Sequence, residues 1–133
     1  MTQLQTSSPA PRLLVVEDEP VVCAALHKFF TAEGFEVDCA REFEEAEAMI
    51  VTSEYALVIA DLRLSRTHCS EGLEILRFIR QHSRATRVII LTAYAAPDVR
   101  QSARALGADA FLQKPVSLPA VAATVHRLAG EMR

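Results

Sequence analysis

The stretch Arg12-Leu13-Leu14-Val15-Val16-Glu17-Asp18-Glu19-Pro20 passes from an apolar run to three consecutive acids and then a proline. A short continuous apolar run with β-branched residues suits a strand covered on both faces, where alternation of polar and apolar residues is not needed. Pro20 suits the first turn of a helix, because its φ is already helical and its missing N–H leaves no donor unpaired there. The helix that follows carries Val22, Leu26, Phe29 and Phe30 at helical spacing, and Gly34 provides a left-handed end. The three acids therefore fall between the carboxyl end of a strand and the start of a helix.

The same unit recurs along the chain. Residues 35–40 read as a second strand, and residues 42–52 place Phe43, Ala46, Met49 and Ile50 on one helical stripe. Residues 56–60 form a third apolar run, and Leu73, Leu76, Ile79 and Arg80 follow a helical period beyond a polar loop. Residues 88–91 give a fourth strand, and a helix opens near Pro97 and ends at Gly107. Residues 110–112 supply the fifth strand. Ser117 then caps a last helix whose Leu118, Val121, Val125 and Leu128 face the core. Strict alternation of five strands with five helices predicts an α/β fold, a doubly wound parallel sheet, because parallel neighbours need crossover connections and helices then cover both faces.

Composition bounds the rest. The chain has 133 residues, half of them hydrophobic, which suits one core; residues 1–11 read as a flexible tail and residues 12–130 as the domain. Fourteen basic against seventeen acidic residues leave a formal charge of -3, so no basic footprint predicts direct nucleic acid binding. The apolar runs are too short to span a bilayer, and residues 1–8 lack the parts of a signal peptide, so a cytoplasmic location is expected. Cys23, Cys39 and Cys69 are odd in number and scattered, without zinc-site spacing, and read as reduced thiols; Cys69 beside His68 leaves a reactive thiol as the alternative.

In open parallel sheets, sites form beyond the carboxyl ends of the strands. The first strand ends in Glu17, Asp18 and Glu19 and the third in Asp61, so adjacency of those strands brings at least three carboxylates to one edge. Their repulsion is answered by a hard cation such as Mg²⁺, which prefers oxygen ligands, and by the ammonium of Lys114 after the fifth strand. Each residue also has a plainer reading. Glu19 suits a helix cap before Pro20, Asp61 a turn, Thr92 a structural hydroxyl and Lys114 a solvated lysine beside a rigid proline.

Taken together, Leu14-Val15-Val16-Glu17-Asp18-Glu19, the strand-ending Asp61, Leu91-Thr92-Ala93 and Lys114-Pro115 resemble the signature of response-regulator receiver domains, over residues 12–128. The resemblance implies a flavodoxin-like (βα)5 fold with strand order 2-1-3-4-5. It implies an acidic pair in Glu17 and Asp18, phosphoryl acceptance on Asp61, and Mg²⁺ held by Asp18, Asp61 and the Arg63 carbonyl. Thr92 and Lys114 would hold the phosphoryl oxygens, Thr92 and Phe111 would form the switch, and Lys114-Pro115 would be cis. A sensor histidine kinase or phosphotransfer protein would supply the phosphoryl group. The signal would pass to a downstream protein or output domain, or to a second copy, through the face of helix four, strand five and helix five. The departure lies after Asp61, where Ser65 replaces the family's usual proline and the glycine comes late, at Gly72. The longer loop 64–70 bears on partner fit and leaves the acceptor in place.

The chemistry asked of such a site is modest: a carboxylate attacks a phosphoryl group whose charge is dispersed by a metal and a lysine. The resulting mixed anhydride is labile to water and acts as a timer. Three rival readings fit the residues less well. A haloacid-dehalogenase-type phosphatase needs a second Asp where this chain has Arg63. A receiver-like binding module without phosphorylation is opposed by the complete set Asp18, Asp61, Thr92 and Lys114. A flavin module lacks its Ser/Thr-rich loop after the first strand. The chain reads as a stand-alone receiver or as a piece of a longer protein.

Overall fold

The apolar runs become the central strands of one parallel sheet. The computed structural model describes residues 10–62 and 73–130. In chain order the elements are β1 Arg12–Val16, α1 Pro20–Ala32, β2 Glu36–Ala40, α2 Phe43–Thr52, β3 Leu57–Asp61, α3 Glu74–His82, β4 Arg87–Thr92, α4 Pro97–Ala105, β5 Ala110–Gln113 and α5 Leu118–Gly130. All neighbours pair in parallel, in the order β2-β1-β3-β4-β5. This is the flavodoxin-like order that the resemblance implied.

Successive residues of each central strand serve opposite faces. Leu14, Val16, Val58, Ala60, Val88 and Ile90 pack with Ile75, Leu76 and Ile79 of α3 and Val99 and Ala103 of α4. Leu13, Val15, Leu57, Ile59, Ile89 and Leu91 pack with Leu26 and Phe30 of α1 and Val121, Val125 and Leu128 of α5. Burial of each large aliphatic side chain contributes about 1.5–3 kcal/mol, so both faces need an apolar residue at every position. That requirement explains the unbroken runs.

Two boundaries matter for the site. β3 runs to Asp61 and β4 to Thr92, one residue beyond each predicted end, because Asp61 still pairs with Leu91 and Leu62 N–H donates to the Leu91 carbonyl. Asp61 and Thr92 are thus held by the ladder itself. α1 and α4 finish short of Gly34 and Gly107, which take φ of 100° and 106°. Ser117 caps α5 as expected, its Oγ accepting from Ala120 N–H at 3.2 Å.

Two polar clusters fasten the opposite, amino-terminal end of the sheet. Asp38 of β2 accepts from Arg12 Nη2 and from Tyr55 Oη, each at 2.7 Å, and the Arg12 guanidinium lies over the Tyr55 ring. Arg80 of α3 donates to the carbonyls of Ser83, Thr86 and Gly107 and pairs with Asp109 at 2.9 Å, tying α3 to the α4–β5 turn.

Candidate functional site

Parallel register places the four sequence motifs around one hollow. Val16 pairs with Ala60, Asp61 with Leu91 and Thr92 with Gln113, so the residues that follow β1, β3, β4 and β5 share one edge of the sheet. The hollow holds about 210 Å³ and is lined by Glu17, Asp18, Glu19, Asp61, Thr92 and Lys114 together with Leu62 and Ala93. A larger groove of about 770 Å³ opens at the other end of the sheet, among Arg12, Tyr55, His82 and Thr86, and contains none of these residues.

Lys114 bridges Asp61. Its Nζ donates to Oδ1 and to Oδ2, both at 2.9 Å, and the Asp61 side chain is 6% exposed. The lysine is aimed by its own backbone: Lys114 N–H donates to the Thr92 carbonyl at 2.8 Å, and the Lys114-Pro115 bond is cis, as the resemblance implied. Burial works to lower the Lys114 pKa, but the hydrogen bond and charge of Asp61 outweigh it and the net shift is upward. The ammonium is firmly charged.

Glu17 is the buried member of the acidic set. Its backbone N–H donates to the Ala40 carbonyl, and its Oε2 accepts from Glu19 N–H at 2.8 Å. Glu19 occupies the N-cap position of α1 without a capping bond from its own side chain. The capping expectation for Glu19 therefore holds for its position alone: its carboxylate makes no capping bond to the first-turn N–H groups, and its own N–H is taken by Glu17 Oε2. Burial pushes the Glu17 carboxyl up to about 8, with hydrogen bonding to Asp61 adding to the rise and the Glu19 N–H opposing it. Its Oε1 is buried with no hydrogen-bond partner among the described residues.

Carboxylate oxygens of Glu17, Asp18 and Glu19 lie within 4.8 Å of one another. An all-oxygen, anionic donor set beside the Asp61 carboxylate fits a hard divalent cation, with Asp18 and Glu19 exposed and able to face solvent and ion together while Glu17 is buried. Arg63, the remaining metal candidate, lies outside the described residues, as do His68, Cys69 and the loop 64–70.

Thr92 is fully buried, and its Oγ1 accepts from Tyr94 N–H at 3.1 Å. Accepting that bond leaves the hydroxyl hydrogen to be donated into the hollow. Phe111 stands one strand further out, pairing with Ile90. It is half-buried on the α4 side of the sheet, where Arg100 contacts it. Neither the Arg100 contact nor the thiol of Cys23, which donates to the Glu17 carbonyl at 3.1 Å, was expected from sequence. Both depend on side-chain paths across elements, for which residue spacing gives no signal.

The model for the response regulator receiver domain family matches residues 13–126. The transcriptional regulatory protein PmrA of Pectobacterium parmentieri is 38% identical over 117 residues, 88% of this chain and 51% of that protein. The chain thus spans about half the length of the curated relatives it matches. Among solved structures, a CheY-like response regulator receiver domain protein of Methanospirillum hungatei aligns with a TM-score of 0.84 at 25% identity, over 92% of this chain and 96% of that one. The response regulator TrrA of Thermotoga maritima, in complex with Mg²⁺ and BeF, aligns at 0.73 and 31% identity, over 89% and 98%.

Proposed function

The chain belongs to the response regulator receiver domain family, and on that footing we propose that it is a switch in which Asp61 accepts a phosphoryl group with the help of a divalent metal. The observation that carries this reading is the two-point bond of Lys114 to Asp61 beside the acidic cluster. One Asp61 oxygen attacks phosphorus, the bond from phosphorus to the donor breaks, and the donor leaves with that electron pair. Lys114 disperses charge on the transferred oxygens, and Thr92 donates its hydroxyl hydrogen to one of them.

Asp18 and Asp61, with the Arg63 carbonyl, would hold Mg²⁺, and Glu17 would support the set from beneath. The ion would supply charge neutralisation on the phosphoryl oxygens. The TrrA complex with Mg²⁺ and BeF supports this choice by likeness. The domain proper is taken as residues 12–130; residues 1–9 of the expected tail lie outside the described residues. Its own phosphorylation and dephosphorylation are the only reactions assigned to it.

A sensor histidine kinase or phosphotransfer protein is the proposed donor, and a downstream protein or output domain the receiver of the signal, with a second copy on the face of α4, β5 and α5 as one form of output. Among the described residues no helix is long and apolar enough to cross a membrane, and a cytoplasmic setting suits these partners.

The site is tested by titrating beryllofluoride with Mg²⁺ while following amide resonances. Saturable shifts at Asp18, Leu62, Thr92 and Lys114, abolished in Asp61→Asn, are expected. Shifts unchanged in that variant would place the acceptor elsewhere.

A further inference from the structure

Arg100 of α4 grips Phe111 of β5 at two points. Its guanidinium carbon lies 4.8 Å from the ring centroid, and its Nη1 donates to the Phe111 carbonyl at 3.1 Å. Arg100 is placed for this by its helix: Arg100 N–H closes the first turn on the Ala96 carbonyl, and the neighbouring Val99 and Ala103 are buried in the core. The helix therefore presents the guanidinium over the ring from a fixed stripe.

The two contacts respond differently to motion of the ring. The bond to the carbonyl holds α4 against β5 whichever way the ring points. The cation–π contact exists only while the ring stays under the guanidinium. A contact made in one arrangement and lost in the other biases a two-state equilibrium, and a contact made equally in both does not. We infer that Arg100 is a positioning residue that retains the Phe111 ring beneath α4 and so holds the domain in its resting arrangement. This rests on the reading of Phe111 as the aromatic that moves when Asp61 is phosphorylated. A ring that must leave Arg100 before Thr92 can settle on a phosphoryl oxygen slows phosphorylation. Arg100 thereby sets how readily the site accepts its group without touching it.

A cation–π contact at a partly exposed position corresponds to roughly a two- to fivefold population ratio. The experiment is a double-mutant cycle on the full chain, with the rate of phosphorylation by acetyl phosphate and Mg²⁺ read from intact mass. Arg100→Gln keeps an amide donor for the Phe111 carbonyl and removes the cation, and glutamine is a good helix former. It should be phosphorylated about two- to fivefold faster than the wild type, with Arg100→Lys falling between. In a Phe111→Leu background the same change should have no effect.

The sign is diagnostic, since loss of a positive charge by itself would slow reaction with an anionic donor. No acceleration in Arg100→Gln, or equal acceleration with Phe111→Leu, would overturn the role of Arg100 while leaving Asp61 as the acceptor. Absence of any added mass on the wild type would overturn both.

Discussion

Lys114 Nζ donates to both carboxylate oxygens of Asp61 at 2.9 Å, so the residue following β5 neutralises the one that ends β3, across the width of β4. The pair closes a charge problem that the sheet creates by aligning its acidic strand ends. It also leaves the acceptor carboxylate masked until a donor and a metal compete for it.

Removal of that ammonium should therefore destabilise the fold and slow the chemistry together. Lys114→Met is expected to lower the unfolding free energy by about 1 kcal/mol, a small value because the lysine is 38% exposed. Mg²⁺ should restore part of the loss by taking over the neutralising role. Urea unfolding with and without the ion measures both effects.

Thr92→Ala should separate phosphorylation from its consequences. The hydroxyl accepts from Tyr94 N–H and is not itself the nucleophile. The variant is expected to take up a phosphoryl mass while amide shifts stay near Asp61 and fail to reach α4 and Phe111. Wild-type-like propagation in the variant would show that the signal bypasses this hydroxyl.

The Asp38 cluster predicts loss of stability at both ends of the pH range. The Tyr55 hydroxyl bond, then Arg12, lower the Asp38 pKa below 3.8 against the opposing effect of burial. That contribution is present above the unfolded pKa and is lost as pH falls through the lowered folded value. Burial, with the Asp38 bond, raises Tyr55 from 10.0 to about 12, so its contribution is complete below pH 10 and lost as pH rises to about 12. Tyr55→Phe should cost about 1–2 kcal/mol at neutral pH and flatten the alkaline limb. Denaturant unfolding across pH checks it.

Two glycines with nearly the same backbone should respond differently to alanine. Gly34 and Gly107 have φ of 100° and 106°, but a Cβ at Gly34 meets nothing within 4 Å, whereas one at Gly107 lies 2.6 Å from Arg80 Nε. Gly34→Ala should cost only the left-handed strain, about 1–2 kcal/mol. Gly107→Ala adds displacement of an arginine that binds three carbonyls and Asp109, and should cost more. Thermal unfolding of the two variants compares them directly.

The fold was legible because both faces of the sheet are covered, which makes residues 13–16, 57–60 and 88–91 apolar throughout and marks each strand without ambiguity. The edge of the site was legible for a related reason: parallel strands deliver their carboxyl ends to one side, so Glu17, Asp18, Asp61, Thr92 and Lys114 converge from short motifs alone. What sequence left open depends on side-chain paths. Glu19 takes the N-cap place that its position before Pro20 indicates, yet its side chain forms no capping bond there. The stacking of Arg100 on Phe111, the anchoring of Arg80 and the Asp38–Tyr55 bond join residues 11 to 29 positions apart, through geometry that no local pattern encodes.

Phosphoryl acceptance by Asp61 is tested by intact-mass measurement and peptide mapping after incubation with acetyl phosphate and Mg²⁺. One added phosphoryl group, carried by the peptide containing Asp61 and absent from Asp61→Asn, is the result expected. Persistence of the label in Asp61→Asn, or its appearance on another residue of the wild type, would contradict it.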